Sequence, residues 1–157
     1  PIPPSPNLPN MKAVYLYPAT CYFEATPVSL GRGTSLPFQV YGHPNMTGYD
    51  YSFTPKSVPG AKNPPQLNKL CHGVNLSNMS DEEIWKRGVD LSYVIDAYKN
   101  LNIGDHFFRP FFELLVGTDY VRKMIIEGKS AEEIKNRWKG DVEKFKEQRK
   151  PYLLYQE

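Results

Sequence analysis

Hydrophobic and polar positions follow different rhythms on the two sides of residue 65. Before it, apolar residues alternate with polar ones over short runs. Phe38-Gln39-Val40-Tyr41 is one such run, and Tyr49, Tyr51 and Phe53, separated by Asp50 and Ser52, form another. Leu70, His72, Val74 and Leu76 repeat the pattern just beyond. A period of two predicts three short strands. The apolar stretch 13–17 after Asn10 suits either a strand or one helical turn, and periodicity alone does not decide between them. Residues 54–68 contain Pro55, Pro59, Gly60, Pro64 and Pro65, which predicts a long shaped loop.

After residue 80 the period becomes that of amphipathic helices. Ser80-Asp81-Glu82-Glu83 and Ser130-Ala131-Glu132-Glu133 match capping boxes, in which Ser and Glu side chains satisfy free N–H groups at a helix start. Asp90 opens a segment with Leu91, Val94, Ile95 and Tyr98 on one face. Pro110 suits a helix start ahead of Phe111, Phe112, Leu114 and Leu115. Thr118 is expected to cap residues 119–127, with Gly128 ending that helix. Residues 131–148 place Ile134, Trp138, Val142 and Phe145 on one stripe. Strands first and helices later predict an α+β fold: a Pro-rich N-terminal part of short strands and shaped loops, with a helical C-terminal half packed on it.

Composition sharpens that division. Thirteen of the fifteen prolines lie at or before Pro65, whereas thirty of the thirty-six charged residues follow it. Neither half alone has enough apolar surface for its own core, so the reading is a Pro-rich linker over 1–10 and one domain over 11–157. A net charge of +2 argues neither for nor against an anionic partner. Lys144, Lys146, Arg149 and Lys150 alternate with acids on a solvated helix, and no fold motif supports nucleic-acid binding. No apolar run reaches the ~18 residues a transmembrane helix needs. Cys21 and Cys71, fifty residues apart, could pair in a disulfide but read more readily as two reduced, buried thiols. His43, His72 and His106 do not cluster at metal spacing, so neither a metal nor a cofactor is expected.

Candidate chemistry concentrates in 23–39. Glu24 and Arg32 are, with Lys12, the only charged residues among the first 49. Gly31 and Gly33 flank Arg32 and permit positive φ and close backbone approach. Burying a carboxylate beside Tyr22 and Phe23 is costly unless it is paired, and Arg32 is the available partner in sequence. The pair either shapes the loop or faces a ligand cleft. In the second reading Arg32 suits a ligand carboxylate, which its planar fork meets with two parallel hydrogen bonds. Thr34 and Gln39 add hydroxyl and amide contacts of the kind sugars need, and the Gly42-His43-Pro44-Asn45 turn could present His43. Tyr15, Tyr17, Tyr49 and Tyr51 are the aromatic candidates for stacking. Glycoside hydrolysis uses two carboxyl groups, and Asp50, the other acid before residue 80, reads as solvent-facing. The chain therefore looks like part of a site.

These residues resemble a known family. Tyr17-Pro18-Ala19-Thr20-Cys21-Tyr22-Phe23-Glu24-Ala25-Thr26, then Ser29-Leu30-Gly31-Arg32-Gly33-Thr34 and Pro37-Phe38, resemble the C-terminal domain of the bacterial exo-β-N-acetylmuramidases. Leu70-Cys71-His72-Gly73-Val74, Leu115-Val116-Gly117-Thr118-Asp119 and the ending Tyr152-Leu153-Leu154-Tyr155 extend the likeness to essentially the whole chain. The resemblance implies a two-domain, peptidoglycan-degrading glycoside hydrolase, periplasmic or extracellular. It would release N-acetylmuramic acid from the non-reducing end of peptidoglycan fragments. An N-terminal Rossmann-like domain, absent here, would supply the principal acid across a shared cleft, leaving this domain inactive alone. Glu24 would have the catalytic part on this side, with Arg32, Thr34, Gln39 and His43 binding substrate and the lactyl carboxylate meeting Arg32. Ala25, Pro27, His43 and Asn45 depart from the family's usual Gly, Asn, Ala and Trp. The rival readings are a non-catalytic glycan-binding module and a purely structural domain.

Overall fold

The structure is a computed structural model in which residues 2–155 are described. Asn10 decides the ambiguous first element. Its side chain accepts from the Ala13 N–H at 2.9 Å and caps helix α1, Met11–Thr20. Ala13, Leu16, Ala19 and Thr20 of α1 are buried, a helical spacing that alternation could not reproduce. A 3-10 turn, Cys21–Ala25, follows directly.

The three strands form an antiparallel sheet in the order β1–β3–β2, with β1 Val40–His43, β2 Tyr51–Phe53 and β3 Cys71–Asn75. Gly42, Gly73 and Tyr51 share one register row. A Cβ on Gly73 would lie 2.0 Å from the Tyr41 carbonyl oxygen, so the strands approach too closely for any other residue there. One face carries Tyr41 and Val74 into the main core, and the other gathers Val40, Phe53 and Cys71 with Leu36 and Tyr51. The strand expected over 38–41 starts two residues later, because Phe38 has φ 61° and cannot be extended.

Helices α2 (Asp81–Arg87), α3 (Ser92–Leu101), α4 (Phe112–Val116), α5 (Tyr120–Ile126) and α6 (Ala131–Arg149) complete the α+β fold. Ser130 and Glu133 make the full capping box of α6. Ser80 makes only the first half, since Glu83 turns instead to Arg87 at 3.0 Å. Thr118 does not cap α5: Asp119 occupies the N-cap position, and the buried Thr118 Oγ1 has no partner among the described residues. The α6 stripe also runs past the body. Ile134 is buried, but Val142 is 42 % and Phe145 59 % exposed.

The long loop is tied down. Lys56 N–H donates to Gly33 O at 2.9 Å, and Gln66 Nε2 donates to Pro27 O at 2.8 Å. Residues 2–10 rest against it through Asn7 Nδ2 and Gly60 O, 2.9 Å apart. Among the described residues no helix is long and apolar enough to cross a membrane.

Candidate functional site

The 3-10 turn is fixed from below. Phe23 is fully buried and stacks on Tyr41 with centroids 4.8 Å apart, so Glu24 next to it points outward. Thr26, also buried, donates its hydroxyl to Phe23 O at 2.9 Å and accepts from Val28 N–H. Ser29 then pairs through both backbone groups with Gly42, anchoring the segment to β1. The chain next turns through Gly31 and Gly33, both at φ 81°. A Cβ on Gly31 would stand 2.5 Å from Leu36 O, and one on Gly33 2.3 Å from Lys56 O. Arg32 is thus held at the crest of a tightly packed loop.

Arg32 Nη2 donates to Glu24 Oε1 at 2.5 Å, with side-chain exposures of 37 % and 24 %. The guanidinium lies over the Phe38 ring, 5.3 Å from its centroid. Tyr17, from the last turn of α1, sits beside Phe38 at 5.0 Å. Four separate segments therefore converge: the end of α1, the 3-10 turn, the glycine loop and the strained residue ahead of β1. Non-glycine residues at positive φ store strain and are held by their surroundings; Phe38 is held under a cation. Burial, with Cys21 and Glu24 nearby, pushes the Tyr17 phenol up, and Arg32 opposes them. Burial and Glu24 push the Cys21 thiol up to about 11.

Arg32 is only partly satisfied. Nη2 is bonded, whereas Nε is buried with no partner among the described residues. At this exposure the ion pair contributes on the order of 1 kcal/mol or less, too little to explain on its own a loop that demands two left-handed glycines. Chemically, the face offers a guanidinium edge, a carboxylate acceptor and a phenol, with Phe38 buried beneath them as support.

The other expected residues are placed differently. Thr34 lies in the same loop, but its hydroxyl donates to Gly31 O at 2.7 Å and accepts from Leu36 N–H at 3.0 Å. Gln39 is 2 % exposed, and its Nε2 has no partner among the described residues. His43 ends β1, and its Nδ1 accepts from Asn45 N–H at 3.1 Å, which puts the neutral ring's proton on Nε2. Burial and Lys69 hold His43 below its ordinary value. Of the tyrosines, Tyr17 alone reaches the Glu24–Arg32 face. Tyr49 donates to Asp96 Oδ2 at 2.8 Å, Tyr15 packs edge-on against Trp85 at 5.3 Å, and Tyr51 stacks on Phe53. Phe38 as the plate beneath Arg32 was not singled out in sequence, where Pro37-Phe38 opens an apparent strand. Cys21 and Cys71 are free thiols, and no metal-ligand cluster occurs among the described residues.

With this geometry in place, comparison with known proteins adds four likenesses. Residues 15–155 match the family model described as exo-β-N-acetylmuramidase NamZ, C-terminal. The chain is 34 % identical to the peptidoglycan β-N-acetylmuramidase NamZ of Bacillus subtilis, over 97 % of the chain and 40 % of the relative. A crystal structure of a DUF1343 family protein from Bacteroides fragilis superposes with a TM-score of 0.98 at 83 % identity, covering all of this chain and 44 % of that one. A second DUF1343 protein from the same organism shares the fold alone, with a TM-score of 0.69 at 20 % identity. The chain spans less than half the length of these relatives.

Proposed function

Because the chain belongs to the family of exo-β-N-acetylmuramidase NamZ C-terminal domains, we propose that it serves as the C-terminal domain of a peptidoglycan-degrading glycoside hydrolase. Its Glu24–Arg32 face would form one wall of a substrate cleft. The opposite wall belongs to an N-terminal domain in the parent protein, the domain's own partner. The curated relative's extra length supports a further domain of this kind. The observation that carries the reading is the convergence of Tyr17, Glu24 and Arg32 on one part-exposed face above the buried Phe38, with Arg32 held by two left-handed glycines and its Nε unpaired among the described residues.

In this reading Tyr17 packs on the apolar face of a sugar ring and the guanidinium, supported from beneath by the buried Phe38, receives its lactyl carboxylate. Glu24, an acceptor in the ion pair, orients the guanidinium and takes a hydrogen bond from the substrate. Retaining and inverting mechanisms both need a pair of carboxyl groups. Asp50, the other acid in the first half of the chain, is exposed just ahead of β2, so the partner carboxyl comes from the opposite domain. Thr34 and Gln39 support the loop from within, and His43 presents an Nε2–H donor further along β1. The substrate class, peptidoglycan fragments ending in N-acetylmuramic acid, places the enzyme in the periplasm or outside the cell. The isolated domain is expected to be inactive.

The test is hydrolysis of a chromogenic N-acetylmuramic acid β-glycoside by the full-length protein, wild type beside Glu24→Gln and Arg32→Ala. Losses of about a hundredfold or more in both variants, each folded by circular dichroism, are expected. Wild-type activity retained by both variants would return the pair to a purely structural role.

A further inference from the structure

The residues ahead of α1 and the long loop meet at one point. Leu8 packs against the core, and its N–H donates to Ser5 O at 2.9 Å, so residues 5–8 form an anchored turn rather than a free tether. From that turn Asn7 Nδ2 donates to Gly60 O at 2.9 Å. Pro6 lies directly against Gly60. The three atoms nearest to a Cβ built there would all belong to Pro6, with Pro6 Cβ at 2.7 Å.

Gly60 is at the tip of a small hairpin turn. Val58 and Ala61 pair through both backbone groups, at 2.9 and 3.2 Å, around Pro59 and Gly60. Both legs of this hairpin run to the Arg32 loop. On one leg Lys56 N–H donates to Gly33 O at 2.9 Å. A Cβ on Gly33 would stand 2.3 Å from Lys56 O and 2.8 Å from Pro64 Cγ, which belongs to the other leg. Gly33, the neighbour of Arg32, is therefore gripped from two sides. The base of the hairpin is fixed as well: Pro55 and Pro64 are buried, Asn68 N–H donates to Pro55 O at 2.8 Å, and Gln66 reaches Pro27 O. Closely packed groups have low compressibility and transmit strain, so a hairpin held at its tip by Pro6 and Asn7 and at its base by Gly33 links the two ends.

We infer that residues 5–8 position Arg32 through this hairpin, which makes Asn7 and Gly60 positioning residues for the guanidinium that the proposed cleft presents to its substrate. The inference rests on the hydrolase reading, in which the N-terminal domain joins this one through residues 1–10. The seating of that domain and the aim of Arg32 are then linked along Asn7, Gly60, Lys56 and Gly33, with no contact between Asn7 and substrate required.

Two measurements on the full-length protein test it, each on two variants. Asn7→Asp keeps the size of the side chain but loses the Nδ2 donor. Gly60→Ala pushes against Pro6 without demanding left-handed backbone, since Gly60 lies outside that region. In the first measurement each variant is expected to lower kcat/KM for a muramyl glycoside about fivefold, as befits one neutral hydrogen bond. Added to Arg32→Ala, each is expected to cause no further loss, because the group it positions is gone. Unchanged activity in either single variant, or the same loss in the Arg32→Ala background, overturns the inference. The second measurement is amide hydrogen exchange. The Lys56 N–H should exchange faster in both variants, whereas the Leu76 N–H, bonded to Gln39 O at 2.8 Å, should keep its protection. Lys56 protection equal to that of the wild type overturns the inference. If the wild type cleaves no muramyl glycoside, the hydrolase reading falls, and the exchange rates alone decide whether the hairpin links its two ends.

Discussion

Gly33→Ala separates two costs that usually come together. Gly33 and Gly48 share φ 81°, but their surroundings differ completely. A Cβ at Gly48 meets nothing within 4 Å, whereas at Gly33 it meets Lys56 O at 2.3 Å, Pro64 Cγ at 2.8 Å and Lys56 N at 3.0 Å. Left-handed backbone costs an L-residue about 1–2 kcal/mol, and this is the whole penalty expected for Gly48→Ala. At Gly33 the Lys56 backbone must also retreat. That movement costs about 1–3 kcal/mol in overpacking and weakens the Lys56 N–H to Gly33 O bond of 2.9 Å. Gly33→Ala should therefore lose about 3–5 kcal/mol. Urea unfolding of the wild type and both variants measures the difference, read as a lower midpoint at an unchanged slope. In a thermal scan Gly33→Ala should melt roughly 5–10 °C below Gly48→Ala. Equal losses in the two variants would refute the claim that the Arg32 loop is packed hard against the 55–65 segment.

Further predictions concern the core and the titrating groups. Tyr41 and Tyr49 both donate to Asp96 Oδ2 at 2.8 Å. Asp96→Ala should cost about 2–3 kcal/mol by leaving the buried Tyr41 hydroxyl unpaired, and Tyr41→Phe added to it should recover part of the loss in a double-mutant cycle. His43 titrates below its ordinary value because of burial and Lys69. Its stabilising effect is therefore present above the unfolded-state value near 6.5 and lost as pH falls through the folded one, so His43→Gln should flatten the stability curve below about pH 7. Burial raises the Cys21 and Cys71 thiols to about 11 each. Alkylation of the native protein at pH 8 should accordingly be slow and should reach two thiols per chain after denaturation; a single reactive thiol or none would contradict the free-cysteine structure.

The strands and late helices were legible because their signals are local. Alternation at 49–53 and 70–76 and the Ser-x-x-Glu cap at Ser130 each survive into the structure with small shifts. α1 was ambiguous in sequence because Pro18 lies inside it and masks a helical pattern that the Asn10 cap settles. Thr118 misled because Asp119 also suits an N-cap position and the helix starts one residue later. In the site, the Glu24–Arg32 pair followed from isolation of charge: a lone carboxylate among aromatic residues has one affordable partner nearby. Phe38 beneath Arg32 was not legible. Its role depends on a positive φ that nothing in Pro37-Phe38-Gln39 announces. Gln39 reads in sequence as an amide contact for a sugar, yet it lies buried just ahead of the delayed start of β1.

The central claim is that Arg32 faces the substrate. Its most direct measurement is the selectivity of the full-length protein between a muramyl glycoside, which carries a lactyl carboxylate, and the matching glucosaminyl glycoside, which does not. The account predicts that Arg32→Ala lowers kcat/KM for the muramyl substrate far more than for the glucosaminyl one, shrinking their ratio about tenfold or more. A ratio equal to that of the wild type, in a folded Arg32→Ala protein, would contradict it.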